Sequence, residues 1–199
     1  MPFPDESAPV TVVEHQPRWA EDFERLSGVV RGALGAEARA IDHIGSTSVP
    51  GLAAKGCVDV QVQVGALDEE RHVGLLAAAG FRCRPEPWNR EEISGGRACP
   101  ELVFAPPVGA RRCNVHLREV GSPNARFALL FRDYLRSDSA TRDAWGAFKK
   151  RLAACVPDLS DYGQIKGPAT QVLMAAAERW AADTGWQPVS GRHGHADGR

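Results

Sequence analysis

No two of the five cysteines, Cys57, Cys83, Cys99, Cys113 and Cys155, form a Cys-x-x-Cys pair, and their number is odd. This argues against a disulfide framework and against a cysteine zinc site, and favours buried free thiols in a reducing cytosol. Neither sign of charge is in excess: the formal net charge is −1 and the pI about 6.6. Bulk electrostatics therefore give no signal for a nucleic-acid or membrane partner. No stretch approaches the ~18 apolar residues of a membrane span. The opening MPFPDESAPV has no basic and no apolar region, so it does not read as a signal peptide. A cytoplasmic protein is expected. Walker, Gly-x-Gly-x-x-Gly and Gly-x-Ser-x-Gly motifs are also missing, which removes the P-loop, the dinucleotide fold and the nucleophile elbow.

The 199 residues suffice for a core without staples, since a globular chain of this size buries roughly 70% of its unfolded surface. Val10 to Val13 reads as a short strand. Pro17 opens a helix, whose Trp19, Phe23, Leu26, Val30 and Leu34 recur every three or four residues up to a stop at Gly35. Ala38 to Ile44 reads as a strand running into Gly45-Ser46-Thr47, and Pro50-Gly51 as a turn. Cys57 to Val64 alternates: Val58, Val60, Val62 and Val64 point one way, Asp59, Gln61 and Gln63 the other.

Asp68 caps a helix closed by Gly80. Phe81 to Arg84 reads as a strand, Pro85 to Pro100 as a long loop, and Glu101–Ala105 and Arg112–Glu119 as strands. In the last of these Asn114, His116 and Arg118 share the polar side. Three helices follow. Ser122-Pro123 starts the first, with a stripe of Phe127, Leu130, Phe131 and Tyr134. Asp138 caps the second, which carries Trp145, Phe148 and Leu152. Ser160 caps the third, which runs through Ile165, Val172, Leu173 and Trp180. The sequence thus predicts an α+β protein. A mixed-sheet subdomain over 10–120 precedes a C-terminal helical subdomain over 121–184 and a disordered tail over 185–199. His193 and His195 in that tail are too isolated for a metal site.

Asp59 poses the functional question. It either faces solvent on a half-exposed strand or lines a cleft as a metal or proton ligand. Gly45 and Ser46 favour the cleft. Glycine lets backbone approach a ligand, and serine offers an amide and a hydroxyl to phosphate. A nearby strand carboxylate can hold a divalent metal against that phosphate.

Gly45-Ser46 followed by Asp59 on a strand resembles the signature of the nucleotidyltransferase superfamily. That signature continues with a second acid one residue on and a third acid from a neighbouring strand. PRWAEDFERL, IDHIGSTSVPGLAAKGCVDVQV, NVHL, FRDYLR, Tyr162-x-x-x-Lys166 and Ala177-x-x-Trp180 are similar, in that order, to the GrpB family, a nucleotidyltransferase-like group also fused to some bacterial dephospho-CoA kinases. The resemblance covers about residues 10 to 182. It implies a nucleotide or other anionic small molecule bound between sheet and helices, with Mg²⁺ or Mn²⁺ at Asp59 and nucleotidyl transfer as the reaction.

Gln61 departs from the pattern at the second acid, and the polar side of the third strand, with Asn114, His116 and Arg118, offers no acid. One carboxylate cannot hold two Mg²⁺ ions, and a neutral Gln oxygen weakens a hard-cation site. His116 suits a softer metal or a general base. The candidate catalytic residues are Asp59 and His116. The candidate ligand-binding residues are His43, Gly45, Ser46, Thr47, Lys55, Gln61, Arg132, Tyr162 and Lys166. Lys55 is either a solvated loop lysine or a partner of phosphate or Asp59. Arg132, Arg136, Lys149 and Lys166 fall on the C-terminal helices, where the family match raises Arg132 and Lys166. A non-catalytic ligand- or partner-binding module, and a small-molecule enzyme using the same cleft without a metal nucleotide, are the rival readings.

Overall fold

The computed structural model describes residues 9–191. The N-terminal segment 1–8 and the histidines His193 and His195 lie outside the described residues. The chain is α+β. Five strands form one mixed sheet in the order β1-β2-β7-β6-β3. β1 is Ala40–Ile44, β2 is Val58–Val64, β3 is Arg82–Cys83, β6 is Leu102–Ala105 and β7 is Cys113–Glu119. β2 and β7 run parallel at the centre, and the other neighbours are antiparallel.

Alternation along β2 gives the sheet two different faces. The four valines of β2, with Ile41, Val115 and Leu117, pack against α1 (Arg18–Leu34) and α2 (Glu69–Ala78) through Phe23, Val30, Leu34 and Leu76. Each fully buried aliphatic side chain there contributes roughly 1.5–3 kcal/mol relative to exposure. α3 (Pro123–Ser137) lies on the opposite face and joins α4 (Ser139–Cys155) and α5 (Leu159–Thr184) around a second cluster that includes Leu130, Trp145, Leu173 and Met174. Val49 and Leu52, on the loop between β1 and β2, insert into that cluster.

The structure corrects several sequence expectations. Val10 to Val13 forms no strand; Val13 makes a single bridge to Ala54. The expected long loop over 85–100 contains a hairpin, β4 (Glu91–Ser94) and β5 (Arg97–Pro100), turned by Gly95 and Gly96, both at positive φ. Asp158, not Ser160, caps α5 by accepting from the Asp161 amide. The apolar stripe on α5 is Leu173, Met174, Ala177 and Ala181, while Val172 is 75% exposed.

The tail expected to be disordered from 185 is tied down over 185–191. The Trp186 indole donates to Asp133, Ser190 accepts from Gln63, and the Gly191 amide donates to Asp42. All five cysteines are free thiols, and no described helix is long and apolar enough to cross a membrane.

Candidate functional site

A cleft of about 730 Å³ opens where the polar face of β2 and β7 meets the helices. Its floor begins at the end of β1. Gly45 has φ +68, and a Cβ there would overlap Asp59 Oδ2. The carboxylate is thus packed against the glycine, and a positive φ favours glycine on its own account. Ser46, Thr47 and Ser48 form a short 3₁₀ turn directly after it. The β1–β2 register opposes Ile44 to Asp59, which brings the loop and the carboxylate together.

The parallel β2–β7 register sets Asp59 beside Asn114 and Gln61 beside His116. Asn114 Nδ2 donates to Asp59 Oδ1 at 2.9 Å. His116 lies between two carboxylates, 3.9 Å from Asp59 Oδ1 through Nε2 and 3.4 Å from Glu101 Oε2 through Nδ1. Burial alone would lower the imidazole, but the neighbouring carboxylates of Asp59 and Glu101 raise it to about 9. Burial would likewise push both carboxyls up. Together His116 and Asn114 at Asp59, and His116 and Arg118 at Glu101, outweigh it: Asp59 stays below the usual carboxylate range and Glu101 falls to about 2. The two flanking carboxylates thus favour the imidazolium form of His116, the form that carries a proton rather than takes one.

Three lysines face this acid end across the cleft. Lys55 lies on the loop before β2, with Nζ 5.3 Å from the centroid of the buried Tyr162 ring. Lys166 is one turn further along α5 from Tyr162 and also lines the cleft. Lys149, on α4, is only 2% exposed and donates to Ser46 Oγ at 2.8 Å and to the Ala53 carbonyl. Burial, reinforced by the charge of Lys55, lowers Lys166. Burial, then Lys166 and Lys55, lowers Lys149 to about 7. Burial pushes the Tyr162 phenol up to about 12.

Gly45, Ser46, Thr47, Lys55, Asp59, His116, Tyr162 and Lys166 all line the one cleft. Three expected ligand-binding residues do not. His43 pairs with Val60 in register, so it projects from the valine face, stacks on Phe23 at 4.7 Å and bonds Thr47 at 3.0 Å. Burial, above all, lowers it to about 4, so it is a neutral scaffold residue. The amide of Gln61 is engaged within the fold, accepting from Arg118 at 2.9 Å and donating to the Ala125 carbonyl of α3 at 3.3 Å. Arg132 turns away from the cleft to Asp133 at 2.7 Å and Asp42 at 3.8 Å.

Sequence analysis placed Lys149 among the helix cations and Asn114 and Arg118 on the polar side of their strand without assigning them to the site, and it passed over Glu101. The alternation of β6 could have found Glu101, because Val103 opposes His116 and puts Glu101 on the same face. Nothing in the sequence raises Lys149 above the other helix cations, because its partners are about a hundred positions away.

The residues present do not fit the divalent ion implied by the resemblance. Asp59 is engaged by Asn114 and His116, Gln61 by Arg118, and Glu92 by Arg118 at 2.8 Å. Among the described residues no three His, Cys, Asp or Glu side chains form a metal-holding group.

The family model described as GrpB protein matches residues 9–176. A UPF0157 protein of Streptomyces coelicolor is 36% identical, over 89% of this chain and 87% of its own. A UPF0157 protein of Halalkalibacterium halodurans is 31% identical, over 86% and 84%. A dephospho-CoA kinase of Mycolicibacterium paratuberculosis is 32% identical over 91% of this chain, which spans about half (49%) of that relative's length. The crystal structure of the conserved protein GrpB from Enterococcus faecalis superposes with a TM-score of 0.70 at 27% identity, covering 89% of this chain and all of that one.

Proposed function

The chain belongs to the GrpB family, and from that premise we propose that its cleft binds the phosphate of a nucleotide or another anionic small molecule through lysines rather than through a resident metal. One observation carries this reading. Lys55 and Lys166, from two separate elements, meet the Gly45-Ser46 loop in one cleft with the buried Lys149 behind Ser46, and among the described residues none of the three has a carboxylate partner at ion-pair distance. Clustered cations repel one another, and an anion between them removes that cost. Two-metal nucleotidyl transfer lacks a free second carboxylate here. Gln61 stands at that position, and Glu92 is paired with Arg118. The relatives named dephospho-CoA kinase support a phosphorylated ligand only by that name, since they extend over about twice the matched length.

Calorimetry with ATP and with pyrophosphate, each in EDTA and in Mg²⁺, tests the reading. Binding should persist in EDTA. A charge-assisted hydrogen bond is worth about 1.5–3 kcal/mol, so Lys166→Ala should weaken binding roughly ten- to a hundredfold. Failure of both anions to bind the wild type would overturn the anion reading. Binding abolished by EDTA would overturn the metal-free part of it.

A further inference from the structure

Three hydroxyls stand in a row after Gly45. Ser48 Oγ donates to the Gly45 carbonyl at 2.6 Å, and Thr47 Oγ1 bonds the His43 ring at 3.0 Å. Both are tied to scaffold. Ser46 Oγ instead meets an amine, Lys149 Nζ, at 2.8 Å. Ser46 sits at a sharp strand-to-3₁₀ transition and is half-buried at the cleft wall.

Resting on the reading of the cleft as an anion site, we propose that Ser46 and Lys149 form a nucleophile–base pair that takes a phosphoryl group from the bound anion.

The surroundings of Lys149 suit a base. Its other partner, the Ala53 carbonyl, is an acceptor only. A neutral Lys149 amine can therefore donate to Ala53 while its lone pair accepts the Ser46 O–H. Around it stand Lys55 before β2, Lys166 on α5 and Asp59 on β2; burial, with the two lysines, brings Lys149 to about 7. A buried lysine beside other cations is a standard way to obtain a neutral amine. Lys55 and Lys166 line the same cleft and supply positive charge for the phosphoryl oxygens.

In the step, Ser46 Oγ forms a bond to phosphorus and its proton passes to Lys149 Nζ. The bond from phosphorus to the leaving oxygen breaks, and that oxygen departs with the electron pair and takes the proton from Lys149. The protein retains a phosphoserine at position 46.

Diisopropyl fluorophosphate, a small phosphoryl donor that loses fluoride, tests the pair on the full chain. Peptide mass spectrometry should find one adduct, on Ser46, absent from Ser46→Ala. Lys149→Arg keeps the cation without offering a base, and Lys149→Met removes both. Each should slow the adduct at least tenfold while its thermal melt remains cooperative. If neither variant folds, the wild-type rate decides. It should rise with pH and level off above about 7, and a flat profile overturns the pair. No Ser46 adduct on the wild type, or equal rates in folded Lys149→Arg, also overturns it. Pyrophosphate calorimetry on the same samples separates the two claims. Pyrophosphate binding without an adduct defeats the pair and leaves the anion site. An adduct without pyrophosphate binding defeats the anion site, and with it transfer from a bound anion, and leaves only a reactive Ser46–Lys149 pair.

Discussion

At Gly45 the space for a Cβ is filled by the carboxylate of Asp59. That contact explains why a glycine stands at the end of β1 opposite a strand carboxylate: the loop and the acid are one packed unit. His116 completes the unit on the far side. Its folded value is about 9 and its ordinary value 6.5. A raised folded value means the protonated form favours the native state. The stabilisation is full below pH 6.5 and is lost as pH rises through 9. Lys149, Lys166, Cys57 and Cys113 are also shifted, so the whole-protein profile mixes several titrations. A difference isolates the histidine. Urea unfolding of wild type and His116→Gln should show the largest wild-type advantage below pH 6.5, shrinking steadily toward pH 9. An advantage independent of pH would mean that His116 is not held between its carboxylates as an imidazolium.

At the level of elements, strands and most helix starts were legible because their signals are local. The β2 valines alternate, and Asp68 and Asp138 each cap a helix by accepting from the amide three residues on. The hairpin β4–β5 was equally marked, by Gly95-Gly96, but Pro, Gly and charge in the same segment read as loop. The start of α5 was misread because Asp158 and Ser160 are both good caps two residues apart. Only the backbone decides between them, and it extends at Asp158, with ψ 177. Asp158→Ala should cost about 0.5–2 kcal/mol, and Ser160→Ala should cost little. Chemical denaturation of the two variants checks this; equal losses would place the cap elsewhere.

At the scale of the whole molecule, charges on the C-terminal helices serve two separate purposes that sequence spacing cannot distinguish. Lys166 and Arg132 both lie in segments that match the family, yet they face different parts of the fold. Lys166 lines the cleft. Arg132 lies in a seam joining β1, α3 and the segment after α5. It reaches the His43 carbonyl at 3.4 Å, Asp42 at 3.8 Å and the Val189 carbonyl at 3.5 Å. Asp42 is buried there, and burial pushes its carboxyl up despite Gly191, Arg132 and Gln63. Removing one partner of a buried pair strands the other charge, at a cost of about 3–5 kcal/mol. Arg132→Ala should therefore lower the melting temperature sharply, while the molecules that remain folded bind pyrophosphate with wild-type affinity. Lys166→Ala should do the opposite, melting near wild type and binding roughly ten- to a hundredfold more weakly. The two measurements together separate seam from cleft. If Arg132→Ala loses pyrophosphate affinity at temperatures where it is fully folded, the guanidinium reaches the ligand in solution and the division between the two faces fails.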